Sequence, residues 1–222
     1  MKLKCRIEPI IDLRKNIPVG GEVLCKPNGL EPEFFFRTVG PSLLSNIIEK
    51  QMVWFASNYN NVNEFFFINI SIPLLFDIGW LKKILSIVPG PKVLEVDLNQ
   101  NESYFPVLVQ HLNSTLKTIL NYFNAEIWLD DINERQIQLL STTSFRFDGI
   151  KIDKYEFWKI YAEHDQYKLN SFILNIKKNA RIVLIEGIEN VNHLNFVYNS
   201  DTDYGQGFLW PVDERSSFAI EL

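Results

Sequence analysis

Most strand-like runs of the sequence end in a polar residue: Glu22, Asn69, Glu95, Asp130 with Asp131, Lys151, Glu186 and Gln206, with Glu189 close behind Glu186. Carboxylates gathered in one place repel one another unless cations neutralise them or some take up protons. Hard oxygen donors suit magnesium or manganese, whereas zinc and copper favour histidine or thiolate. The three histidines, His111, His164 and His193, show no zinc spacing and read as surface or satisfied core groups. The adjacent Asp130 and Asp131 let one carboxylate bridge two ions about 3.5 to 4 Å apart, the arrangement used for in-line attack on phosphate esters. Hydrolysis of a phosphate ester is the chemistry such a set favours. Lys151, alone among acids, either orients an attacking water or closes a structural ion pair. Each acidic strand end taken singly caps a helix or faces water; seven stations in series point to a shared pocket.

The elements that must bring these residues together follow from periodicity. Residues 5–12 and 19–24 are two strand-like runs joined by the polar stretch 13–18, which fits a hairpin. Residues 66–70, 92–96, 126–130, 149–152 and 181–185 read as buried strands, with a last one near Tyr204. Between them, apolar residues recur at three and four. The clearest helix is 106–123, where Leu108, Leu112, Leu116, Ile119, Leu120 and Phe123 share a face. Further helices are expected at 33–56, 72–87, 135–140, 154–178 and 191–198. Alternating strands and helices favour a parallel sheet, and about eight strands in a chain of this length fit a closed α/β barrel. The carboxyl ends of barrel strands converge on one face, so residues distant in sequence meet around one pocket.

Composition narrows the class. The chain has 222 residues, 46% hydrophobic and 22% charged, with a formal charge of -5; this describes an ordinary globular protein, neither disordered nor disulfide-stapled. One domain over residues 1–222 is expected, burying roughly 70% of its unfolded surface. The apolar run 65–76 is interrupted by Asn69 and Ser71 and falls short of the about 20 residues a spanning helix needs, so no membrane association is expected. No secretory signal is visible, which predicts a cytoplasmic protein in which Cys5 and Cys25 are reduced and incidental. No linker or repeat is visible, so no attached sensor domain is expected in this chain. An acidic chain without a Lys/Arg cluster argues against nucleic acid as a partner. The phenylalanine runs 34–36 and 65–67 read as core packing.

The motifs, taken together, resemble the EAL-domain cyclic di-GMP phosphodiesterases over nearly the whole chain. The run Ile7-Glu-Pro-Ile-Ile-Asp-Leu13 followed by Gly20-Gly-Glu-Val-Leu24 is similar to that family's first hairpin, with Glu22-Val-Leu24 in place of Glu-Ala-Leu. Ile68-Asn-Ile-Ser71, Leu94-Glu95, Leu129-Asp-Asp131, Lys151-Ile-Asp153, Glu186-Gly-Ile-Glu189 and Gly205-Gln-Gly-Phe208 match the remaining motifs in order. The resemblance implies a TIM-like (β/α)8 barrel with an antiparallel first strand. It implies that Glu22, Asn69, Glu95 and Asp130 hold one Mg2+ or Mn2+ and that Asp130 and Asp131 hold the second. Lys151 and Glu186 would act on the attacking water, with Glu22 completing the catalytic set. Lys26, Gln206 and Glu189 would serve the ligand, cyclic di-GMP, whose hydrolysis gives linear pGpG. A homodimer is also implied.

Three departures stand out. Leu98 replaces the glutamate expected three residues after Glu95, the glycine-containing loop after the paired aspartates is rewritten as Ile132-Asn-Glu-Arg135, and Lys26 replaces an arginine, exchanging a planar fork for a point charge. They sustain an alternative: a catalytically silent regulator that binds a partner protein, such as a transcription regulator of motility, or cyclic di-GMP without turnover.

Overall fold

A computed structural model describes residues 1–58, 64–98, 102–212 and 217–222. Strands β1 (Lys2–Asp12) and β2 (Ile17–Pro27) form the antiparallel hairpin. Strands β3 (Phe65–Asn69), β4 (Lys92–Asp97), β5 (Ala125–Ile132), β6 (Phe147–Ile152), β7 (Ala180–Ile185) and β8 (Tyr204–Gly205) follow, each parallel to its predecessor from β2 onward. Residues Ile11 and Asp12 of β1 pair with β8 and close the ring. The expected eight-stranded mixed barrel is therefore present, with β1 antiparallel to both neighbours. A ninth strand that the sequence pattern did not signal, β9 (Phe218–Glu221), pairs with Lys2–Cys5 on the half of β1 that projects beyond β8.

The helices are α1 (Pro32–Thr38), α2 (Pro41–Asn58), α3 (Ile72–Phe76), α4 (Ile78–Leu85), α5 (Phe105–Leu112), α6 (Thr115–Tyr122), α7 (Glu134–Leu140), α8 (Lys154–Ala162), α9 (Gln166–Lys177) and α10 (Val191–Tyr198). Four segments expected as single helices are each broken in two, and in each case a polar residue or a proline accounts for the break. Asp77 accepts the N–H of Trp80 and starts α4 afresh. Asp165 does the same for α9 after His164 turns the chain at φ 52°. The Ser114 hydroxyl bonds back to the carbonyls of Gln110 and His111 and ends α5. Pro41, which has no N–H to give, opens α2.

Two apolar cores result. One lies between barrel and helices; the other fills the barrel floor with Ile10, Phe67, Val93, Trp128 and Leu184. Gly149 makes this floor possible, because a Cβ there would lie 2.1 Å from the Trp128 ring. Of the phenylalanine runs, Phe35, Phe66 and Phe67 are buried, but Phe34 is exposed, so it does not pack in the core as expected. The expectation of reduced cysteines also fails: Cys5 and Cys25 stand directly opposite in the hairpin ladder and form a disulfide. Side chains opposed across an antiparallel pair lie within bonding reach. Among the described residues no helix is long and apolar enough to cross a membrane.

Candidate active site

The inward faces of the strands carry two successive layers. Two residues beyond Phe67, Val93, Trp128, Gly149 and Leu184 stand Asn69, Glu95, Asp130, Lys151 and Glu186. Because strand side chains alternate, a step of two keeps the same face and moves about 7 Å along the barrel. The polar residues therefore sit on top of the apolar floor. Glu22 on β2 and Gln206 just after β8 complete the ring.

Lys151 is the centre of this layer and is fully buried. Its Nζ lies 3.0 Å from Glu22 Oε2, 2.9 Å from Glu95 Oε1, 3.0 Å from Asp130 Oδ1 and 2.8 Å from Glu186 Oε1. An ammonium has three N–H donors and cannot satisfy four carboxylates. Accordingly neither oxygen of Glu95, nor Asp130 Oδ1, receives a well-directed hydrogen bond, although the ion-pair distances are short. Glu22 is better served: Asn69 Nδ2 donates to its Oε1 and Gln206 Nε2 to its Oε2, both at 2.8 Å.

The adjacent aspartates share the site through a local irregularity. On a regular strand Asp130 and Asp131 would point to opposite faces. Between Leu129 and Ile132 strand β5 gains one residue on β6, and Asp131 takes a left-handed φ of 54°. Aspartate tolerates this conformation better than most residues, and the bulge lets both carboxylates approach the same space. Carboxylate oxygens of Glu22, Glu95 and Asp130 lie within 4.8 Å of one another, and so do those of Asp130, Asp131 and Glu186. Asp130 belongs to both groups.

Electrostatics follow from this crowding. Burial opposes the charge on Lys151, but Asp130, Glu186, Glu22 and Glu95 raise its pKa well above the usual lysine value. Burial also works against Glu22; there Lys151, Gln206 and Asn69 win and hold the carboxyl below its ordinary range. The other acids go the opposite way. Burial, then the charge of Glu22, pushes Glu95 well up, and Asp130 is raised for the same reasons. Burial followed by Asp130 and Glu186 takes Asp131 to about 9, and burial followed by Asp130 takes Glu186 to about 7. Oxygen donors that lack hydrogen bonds and carry excess negative charge are what a hard divalent cation requires. The residues present thus fit a hard divalent cation.

The remaining candidates stand apart. Lys26 lies exposed, four residues beyond Glu22 or about 13 Å along the strand, opposite Lys4 in the ladder. Glu189 is exposed. The histidines are as expected: His111 and His164 lie at the surface, and His193 Nδ1 bonds the Gly187 carbonyl. Glu8 was not among the expected site residues, yet its Oε2 lies 3.4 Å from the Gln206 amide nitrogen and Arg6 holds its other oxygen. The signal was present in the strand, since Glu8 stands two residues from floor residue Ile10, as Glu95 stands two from Val93.

Known proteins share this fold. The EAL domain family model matches residues 2–211. Among solved structures, the EAL enzyme Bd1971, in its form bound to cAMP and cyclic di-GMP, is 18% identical with a TM-score of 0.75 over 95% of this chain and 62% of that one. BlrP1 of Klebsiella pneumoniae, in a manganese and cyclic di-GMP complex, gives 17% and 0.74 over 98% and 59%. The FimX EAL domain of Pseudomonas aeruginosa, bound to cyclic di-GMP, gives 19% and 0.72 over 95% and 90%. This chain thus spans about three fifths of Bd1971 and BlrP1, and at these identities the likeness is one of fold. No curated protein sequence matches the chain. With the family model covering all but its last residues, the chain belongs to the EAL domain family.

Proposed function

We propose that this protein hydrolyses cyclic di-GMP to linear pGpG and depends on Mg2+ or Mn2+ to do so. The observation that carries the reading is the pair of carboxylate groups sharing Asp130, set against a buried lysine that cannot neutralise them. The ligand of the three similar structures supports the substrate. Glu22, Asn69, Glu95 and Asp130 would hold one cation; Asp130 and Asp131 would hold the other. When bound, such ions lower the pKa of water and offset charge on the phosphoryl oxygens.

The chain's own groups do the rest. Lys151 Nζ donates toward the attacking water and fixes its direction. Glu186, whose carboxylate lies 2.8 Å from Lys151 Nζ, takes the proton from the water that the lysine directs. Gln206 holds Glu22 in place, and Lys26 and Glu189 meet the ligand at the open rim. Purified protein supplied with either ion converts cyclic di-GMP to pGpG, and Glu22→Ala abolishes the conversion. No turnover with either ion removes this reading.

A second reading rests on Leu98. This side chain is fully buried and apolar where the family resemblance calls for a glutamate, and the loop after the paired aspartates is rewritten as Ile132-Asn-Glu-Arg135. In that reading the protein grips cyclic di-GMP or a partner protein without chemistry. Cyclic di-GMP that binds in the presence of a chelator and is recovered intact after metal is added favours it.

A further inference from the structure

The loop from Ile132 to Arg135 joins the Asp131 bulge to α7, so whatever holds this loop also sets the Asp131 carboxylate. Leu98 offers it no acceptor. The ties come from α7 and α8. Asn133 caps α7 by accepting the N–H of Arg135 at 3.0 Å, and Gln136 Oε1 accepts the N–H of Asn133 at 3.0 Å. The N–H of Glu134, between the two, points across to α8 and donates to Glu156 Oε2 at 3.3 Å. Glu156 is 9% exposed and shares its buried face with Phe157 and Ile160. A carboxylate on such a face costs desolvation and calls for a partner. Lys159 lies 3.4 Å from its other oxygen. The start of α8 is itself fixed: Asp153 caps the helix by accepting from Tyr155 and Glu156, and its own N–H bonds the carbonyl of Ile132.

We infer that Glu156 is a positioning residue for the second cation, holding the 132–135 loop and through it Asp131, a task Leu98 cannot perform. The inference rests on the two-cation reading above. A partner one step removed from a metal ligand typically affects affinity by about 10- to 100-fold.

Manganese binding to the full chain, measured by calorimetry and by electron paramagnetic resonance, tests it without reference to turnover. Wild-type protein takes up two equivalents. Glu156→Ala keeps the first and binds the second at least about tenfold more weakly. Glu156→Gln, which retains an acceptor oxygen, stays within about threefold of wild type by the same measure of outer-partner loss. Glu134→Pro removes the donor at the first position of α7, where proline is tolerated, and weakens the second site by a similar factor, which tests the inference if Glu156→Ala fails to fold. Unchanged second-site binding in both Glu156→Ala and Glu134→Pro overturns the inference alone. A wild type that takes up fewer than two equivalents overturns it together with the two-cation reading.

Discussion

The floor and the rim of the barrel are built on the same strands, two residues apart, yet they obey opposite rules. At the floor, Phe67 meets Trp128 edge to face with centroids 5.2 Å apart, and Trp128 fills the space that Gly149 leaves. Shape decides that layer. At the rim one ammonium faces four carboxylates, and buried oxygens are left without hydrogen bonds. Charge decides this one. Stability and function thus occupy successive turns of one pleat, and the rim can be electrostatically strained because the floor beneath it is closely packed.

The contrast can be broken at several points. The largest effect is expected at Asp130, which serves both carboxylate groups. Asp130→Ala should lower pGpG formation by more than about 100-fold, exceeding the usual loss from an outer partner. Activity within tenfold of wild type would remove the rim from the chemistry. Next comes the floor, where Trp128→Ala should reduce the free energy of unfolding in urea by about 3–5 kcal/mol. A loss under about 1 kcal/mol would show that the floor does not support the rim.

The pH dependence of the metal-free protein comes third. Glu186 and Asp131 titrate near 7 and 9 in the folded chain against ordinary values of 4.5 and 3.8. Between those values the folded state holds protons that the unfolded state has released, so stability is greatest at low pH and falls as pH rises through the window. In chelator, the thermal midpoint should decline from about pH 5 to about pH 9, and magnesium should flatten the decline. A midpoint that rises over that range contradicts the assignment. The smallest effect separates the two layers most sharply. Glu95→Gln, which replaces a buried carboxyl whose oxygens lack hydrogen bonds, should stabilise the chelated protein by about 1 kcal/mol while weakening manganese uptake. Destabilisation together with intact uptake would invert the account.

Much of this was legible in the sequence, and the losses have physical reasons. Strand ends could be read because a buried parallel strand is a continuous apolar run, and a polar residue ending it stands out, as Glu95 and Glu186 do. Helix lengths could not, because the apolar spacing of residues 106–123 runs unbroken across Asn113 and Ser114, and only the serine's bond back to the preceding turn ends α5. The bulge that turns Asp131 inward depends on a backbone angle that no residue type announces. Glu8 and Glu156 were missed because each looks like an ordinary surface acid until the fold places Gln206 against one and the N–H of Glu134 against the other. The cysteine pairing depends on the hairpin register, which a shift between Ile10 and Ile11 adjusts so that residue 5 stands opposite residue 25.

The central claim is that the rim is built to hold two divalent ions. Crystals grown with manganese and measured at its absorption edge address this directly. The account predicts two anomalous peaks about 3.5 to 4 Å apart, flanking the Asp130 carboxylate, with Lys151 displaced toward Glu186. A rim without manganese, with Lys151 still gripping all four carboxylates, would contradict it.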